Sequence, residues 1–158
     1  MTARGPAFRL LPRVDSDNEF FWTSGSDGHL RFLRCGHCRS YVHPPAPRCP
    51  ECLSEDVTPE VVSGRATVVA HTVNVHGWIP GSEPYVIGLV AIDEQESVRL
   101  TTNLVDVEPE DIRTGMPVEV VFEQHEDVYL PLFRPVLTDP TDPTDPTDRP
   151  VPTGQQGV

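Results

Sequence analysis

The chain has 158 residues, enough for one ordinary domain or two small ones. Its 24 acids stand against 12 bases, every base an arginine, and the formal net charge of −12 opposes non-specific attraction to nucleic acid or anionic membrane. No apolar run is long enough to span a bilayer and the chain opens without an apolar signal stretch, so the expectation is a soluble, cytoplasmic protein.

Residues 1–28 form an N-terminal segment. Pro6 and Pro12 argue against helix over residues 1–16. Asp17 or Asn18 can then cap a short helix with Glu19 in its first turn, ended by Ser24-Gly-Ser-Asp-Gly28. Phe20, Phe21 and Trp22 give that helix a large apolar payload. Three adjacent aromatics cannot all face one side of a helix, so these residues are candidates for contact with a partner. The competing reading is that they cover neighbouring parts of the same chain.

Residues 29–60 carry the strongest motif. Residues 29–34 (HLRFLR) roughly alternate apolar and polar and run into Cys35-Gly-His-Cys38; Cys49-Pro-Glu-Cys52 follows after a ten-residue gap. Two C-x-x-C turns at this separation place two thiolates on each of two edges of one tetrahedral Zn²⁺ site. Gly36 and Pro50 suit tight turns, and Pro44, Pro45 and Pro47 stiffen the intervening loop. All four cysteines of the chain are used, and four thiolates leave no open position, so Cys35, Cys38, Cys49 and Cys52 are expected to hold a structural metal. Two disulfides would need an oxidising compartment, and a thioredoxin-like redox pair would explain one C-x-x-C without its twin. A single iron on four thiolates uses similar spacing and stays open beside zinc. The stretch 53–60 is mostly polar and reads as a connection.

Residues 61–137 are strand-like. The β-branched run 65–76 is followed by a loop containing Trp78, a further candidate for partner contact, and then by the nearly continuous apolar strand 85–93. Residues 93–96 read as a hairpin turn and 98–104 as the return strand. Pro109 opens a single helical turn closed by Gly115, and strands over 117–124 and 128–133 follow. Pro131 marks the last strand as an edge or an irregular one. Five strands with a short helical turn between the third and fourth is the order of an OB-fold barrel. Roughly 70 residues bury little apolar surface, so this barrel is expected to lean on the ribbon, the aromatic helix or a partner. Residues 138–158, with TDPTDPTDPTDRP, have a composition that cannot form a core and are expected to be disordered. The expected class is therefore mainly β: an N-terminal helix and zinc ribbon, a five-stranded OB-fold barrel and a disordered acidic tail.

No G-x-S-x-G, phosphate-cradling glycine loop or H-E-x-x-H occurs, so no catalytic residues of its own are expected. Pattern alone leaves two functions. A single-stranded nucleic-acid-binding OB protein needs a basic, aromatic-lined groove, and Arg65, Arg99, Arg113 and Arg134 are few against the surplus of acids. The other is a non-catalytic subunit that holds a protein partner.

The runs GHLRFLRCGHCRSYVHPPAPRCPEC, SGRATVVAHTVN, PYVIGLVAID, VRLTTNLVD, IRTGMPVEVVFE and LPLFRP together resemble the acyl-CoA-associated OB-fold family with an N-terminal rubredoxin-like zinc ribbon. The resemblance covers residues 17–136. It implies an accessory subunit of a thiolase-fold enzyme acting on acyl-CoA thioesters, with the partner supplying the catalytic residues and acyl-CoA as ligand of the complex. The sequence is most similar to the OB-fold half of the steroid side-chain degradation proteins of actinobacteria. There the partner implied is a thiolase-like aldolase of lipid-transfer-protein type, in a heterotetramer that cleaves a 17-hydroxy C22 steroid-CoA to a 17-keto steroid and propionyl-CoA. A MaoC-like hydratase domain or chain is often associated. An accessory role to a thiolase or ketosynthase on non-steroid acyl-CoA is the alternative.

Overall fold

The computed structural model describes residues 10–76 and 84–136. Trp78 and the TDP stretch lie outside the described residues. The first helix, α1, is one turn over Glu19–Trp22, and a 3-10 turn over Ser24–Asp27 continues it to Gly28, whose φ of 79° closes the element. That 3-10 turn was legible in the sequence only as a terminator.

Three short strands follow: β1 (Arg31–Cys35), β2 (Tyr41–Val42) and β3 (Val57–Val61), in the order β2-β1-β3 and antiparallel throughout. The strand β3 falls in the stretch read as a connection. Its polar residues 58–60 pair with Arg34, Leu33 and Phe32, and Glu60 takes an ion pair from Arg34 that also reaches Tyr41. Polar composition hid it because an edge strand with one wet face needs few apolar residues.

The remaining strands, β4 (Arg65–Asn74), β5 (Tyr85–Ile92), β6 (Gln95–Leu104), β7 (Pro117–His125) and β8 (Val128–Pro135), close into a barrel in the order β4-β5-β6-β8-β7, with a 3-10 turn over Pro109–Asp111 between β6 and β7. Five strands in this closed order are the OB-fold expected from the sequence. The turn before β6 is tighter than expected, so β6 starts at Gln95. The seam between β6 and β8 is the weak one, with a single parallel pair, Leu104 with Phe133. Pro131 sits beside that seam, where a missing N–H costs no ladder bond, and its carbonyl is taken by the buried Thr102 hydroxyl at 2.7 Å.

One continuous core crosses the whole structure. Phe21 of α1, Phe32 of β1 and Tyr41 of β2 join Val68, Val90, Leu100, Val118 and Phe133 of the barrel, and Phe21 and Phe32 are 2% and 0% exposed. The barrel therefore does lean on the ribbon and the aromatic helix. Gly25 lets the 3-10 turn lie on β7 and β8: a Cβ there would stand 2.5 Å from the Phe122 ring. Hydrogen bonds tie the two parts together as well, from the Tyr41 amide to Gln95 Oε1 at 2.8 Å and from the Val62 amide to the Leu30 carbonyl at 2.9 Å.

Candidate metal centre

The four cysteines come from two turns built alike. In the first, the Cys35 amide donates to the Ser40 carbonyl and the Arg39 amide returns to the Cys35 carbonyl, at 2.9 and 3.0 Å. In the second, Cys49 and Ser54, Leu53 and Cys49 repeat the pattern at 2.9 and 2.9 Å. Each turn closes on a residue in the left-handed region, Arg39 with φ 66° and Leu53 with φ 62°. Glycine is the residue that adopts this conformation without strain, which is why the symmetry of the two turns is hard to see in the sequence. Gly36 lies close beneath Asp56: its amide donates to the Asp56 carbonyl at 2.9 Å, and a Cβ there would make the exposed Asp56 carboxylate swing aside.

These turns bring the four sulfurs within 4.8 Å of one another. Across the turns, Cys35 Sγ lies 3.6 Å from Cys52 Sγ and Cys38 Sγ 3.5 Å from Cys49 Sγ. A disulfide needs about 2.05 Å, whereas four sulfurs each about 2.3 Å from one tetrahedral ion lie about 3.8 Å apart. The donor set fits a single tetrahedral ion. Cys35 and Cys49 are buried in a small cluster with Leu33 and Val42, while Cys38 and Cys52 stand nearer the surface.

The protonation tendencies of the thiols differ. Hydrogen bonds from Ser40, its side chain first and its amide next, bring Cys38 down to about 6. The Cys38 amide, 3.5 Å from Cys35 Sγ, lowers Cys35. At Cys52 a backbone hydrogen bond from Ser54 acts to lower the value, but desolvation and contact with the other three sulfurs win and push it to about 12. Four thiolates this close repel one another; Cys35, Cys38, Cys49 and Cys52 would hold a dication whose charge would offset that repulsion and favour the thiolate form.

The other expected positions separate. Phe21 is a core residue at 2% exposure and is not on a partner-facing surface; its ring meets Trp22 edge-on at 4.8 Å and tilts over His43 at 5.1 Å. Phe20 and Trp22 are half-buried against the core clusters. Arg134 is paired with Glu119 at 2.9 Å. Tyr85 is 41% exposed at the start of β5. His43 lies between Phe21 and Phe32, with ring centroids 5.1 and 5.0 Å away, and its buried Nδ1 has no hydrogen-bond partner among the described residues. Desolvation lowers it to about 4.

Comparison with known proteins agrees with both halves. The description "ChsH2, rubredoxin-like zinc ribbon domain" matches residues 22–58, and "ChsH2, C-terminal OB-fold domain" matches residues 60–123. A solved structure of the "Ltp2-ChsH2(DUF35) aldolase" is 36% identical with a TM-score of 0.71, over 79% of this chain and 98% of that one. A "Probable enoyl-CoA hydratase alpha subunit" of Thermomonospora curvata is 37% identical, and a "3-oxo-4,17-pregnadiene-20-carboxyl-CoA hydratase alpha subunit" of Mycobacterium tuberculosis 31% identical, over 83% and 82% of this chain. The chain spans only 41% of each of those two proteins. A "DUF35 domain-containing scaffold protein" of Pyrococcus furiosus is 33% identical over 70% of this chain and 79% of its own length. Two cysteine turns built for one tetrahedral ion, on a ribbon that shares its core with a five-stranded barrel, together with these matches, place the chain in the DUF35 family of ChsH2-type zinc-ribbon and OB-fold proteins.

Proposed function

We propose that this protein is a non-catalytic accessory subunit of a thiolase-fold enzyme acting on acyl-CoA thioesters. The observation that carries the reading is the likeness over 98% of the ChsH2 chain in an aldolase whose name joins it to a second component, Ltp2. The reaction is retro-aldol cleavage of a 17-hydroxy C22 steroid-CoA to a 17-keto steroid and propionyl-CoA, carried out by the partner. The relative named for a pregnadiene-carboxyl-CoA supports a steroid thioester as the substrate class. The complex is a heterotetramer, with a MaoC-like hydratase as a further domain or chain of the same system.

Within it, Cys35, Cys38, Cys49 and Cys52 hold zinc, whose role is to fix the ribbon against the barrel. Phe20, Trp22 and Trp78 contribute to partner contact, and acyl-CoA is bound by the assembled complex. The site of action is cytoplasmic. Metal analysis of the purified chain is expected to give one zinc per chain; the absorbance of an iron–thiolate centre would replace zinc by iron.

The functional test is co-expression with the thiolase-like protein encoded nearest the gene, affinity retention, and assay on the steroid-CoA and on 3-ketoacyl-CoA thioesters. Cleavage only when both chains are present is the expected result. Thiolysis of a ketoacyl-CoA instead would keep the subunit role and change the substrate. Binding of single-stranded DNA with no partner retained would overturn the reading.

A further inference from the structure

The barrel wall formed by β4, β5 and β6 is unlike the rest of this acidic molecule. Charged residues make up 23% of the chain, yet segments 66–76, 84–92 and 100–105 contain no Asp, Glu, Lys or Arg. Half of those residues point into the core, where charge is excluded anyway. The outward half is the informative one. Strand register defines it: Ile87 stands between Thr72 and Asn103, Leu89 between Ala70 and Thr101, and Tyr85 beside Asn74. Paired residues of antiparallel strands project to the same face. Their neighbours Val86 and Val90 are 5% and 0% exposed and fill the interior, so Tyr85, Ile87 and Leu89 project outward. The outer wall of the barrel thus has an apolar stripe bordered by Thr, Ala and Asn, with Tyr85 41% exposed at one end. Arg99, opposite Ala91, is the first charge at the other end. The wall of β7 and β8 contrasts with it, since Glu119 and Arg134 form an ion pair there.

A solvated sheet face normally carries charge, which keeps strands from associating. An uncharged face with a central apolar stripe is what the dry centre of an interface requires, aromatic residues being the usual anchors. Charge selects the occupant. Nucleic acid would find no cation on this wall for its phosphates. A second copy would bring another chain of net charge −12 against the first. A heterologous protein with an apolar surface meets neither obstacle. The matching ChsH2 chain comes from an aldolase whose name carries a second component, Ltp2. Strand spacing of about 4.8 Å and a rise of about 3.3 Å per residue give this patch roughly 250 Å², well below the ~800 Å² of a stable interface side, so it forms the centre and not the whole. Among the described residues, β4 pairs with β7 only at Arg65–Thr67, which leaves the border beside Ala70 to Asn74 open to extend the contact.

We infer that the outer face of β4, β5 and β6, centred on Tyr85, Ile87 and Leu89, is the dry centre of the interface with the thiolase-fold acyl-CoA enzyme. This rests on the function proposed above and adds where that partner sits. The test uses the full chain co-expressed with the thiolase-like protein, comparing wild type with Thr101→Glu and Thr72→Glu. Both positions are exposed, so a carboxylate is tolerated by the fold. Thr58→Glu, on the exposed side of β3, is the control.

The expected result is an about ten-fold loss of retained partner for both wall variants, with unchanged melting temperature and zinc content and with Thr58→Glu behaving as wild type. Thr101→Arg should weaken retention too, because either charge must be desolvated; a loss with Glu alone would mean long-range repulsion and overturn the placement. Undiminished retention by both Glu variants overturns it as well. A chain that is dimeric alone and becomes monomeric with Thr101→Glu would assign the wall to a second copy instead. Failure of the wild type to retain any partner is the distinct outcome that removes the proposed function, and this inference with it.

Discussion

The ribbon and the barrel reach stability by different physical routes, although one core joins them. The buried cluster around the cysteines holds Leu33, Cys35, Val42 and Cys49, so half of it consists of candidate ligands. Two aliphatic side chains cannot offset the conformational entropy of ordering a segment of this length. The barrel instead buries apolar side chains from all five strands. The strand β1 belongs to both: Phe32 enters the shared core while its neighbour Leu33 faces the cysteines, as the two-residue period of a strand dictates. An ion can thus matter to the barrel without touching it, because it fixes the strand that supplies Phe32.

Removing the metal gives the largest expected effect. Structural zinc contributes on the order of 10 kcal/mol in isolated zinc-binding domains. Strong chelation, or Cys49→Ser, is therefore expected to abolish amide protection in β1 and β2 and to lower the melting temperature of the barrel, with protection in β4 and β5 persisting at reduced temperature. Hydrogen exchange with and without chelator measures this, and protection in β1 that ignores the chelator would contradict it.

Next in size is the acid response of His43, which lies where the two regions meet. Unfolded, this imidazole takes a proton near pH 6.5; folded, it resists until about 4. Between those values the unfolded chain binds more protons, so stability falls as pH drops from 6.5 to 4, by about 3 kcal/mol in all, and is unaffected by this group above 6.5. His43→Phe should flatten that part of the stability profile. Equal slopes for both proteins in denaturant titrations from pH 7 to 4 would remove His43 from the account.

What the sequence made legible follows the same division. The cysteine spacing announces the ion because coordination demands fixed ligand numbers in short turns, and the strands of the barrel announce themselves by β-branched runs. The strand β3 did not, since Thr58, Pro59 and Glu60 are chosen for solvent and for the ion pair to Arg34. The burial of Phe21 beside half-buried Phe20 and Trp22 was invisible, because one turn of helix has no periodicity to read. His43 was legible only as a member of a metal-binding loop, while its enclosure by Phe21 and Phe32 is a product of tertiary packing. The neutral wall of β4 to β6 was present in the composition of those strands, but only the register separates its outward half from the core.

Two smaller effects sharpen the comparison. In the barrel, Thr102→Val keeps the shape of a buried residue and leaves the Pro131 carbonyl without its donor, at a cost of about 1–2 kcal/mol in urea unfolding. Thr102→Ser should cost less, and a larger loss for Ser than for Val would mean that the methyl group, and not the hydrogen bond, closes the seam between β6 and β8.

In the ribbon the smallest change is expected to stabilise. Leu53 sits at φ 62° and is 69% exposed, so it carries left-handed strain with little packing in return. A side chain in this region costs roughly 1–2 kcal/mol, and the extra freedom of glycine in the unfolded chain takes back about 0.5–1 kcal/mol. Leu53→Gly should therefore gain about 0.5–1 kcal/mol in thermal or urea unfolding of the zinc-bound protein. Arg39→Gly relieves the same strain in the other turn but gives up the approach of the guanidinium to Glu60 at 3.8 Å, so its gain should be smaller. Equal gains would show that this exposed ion pair contributes nothing. A loss at both positions would mean that their side chains stabilise the turns by more than the backbone strain costs.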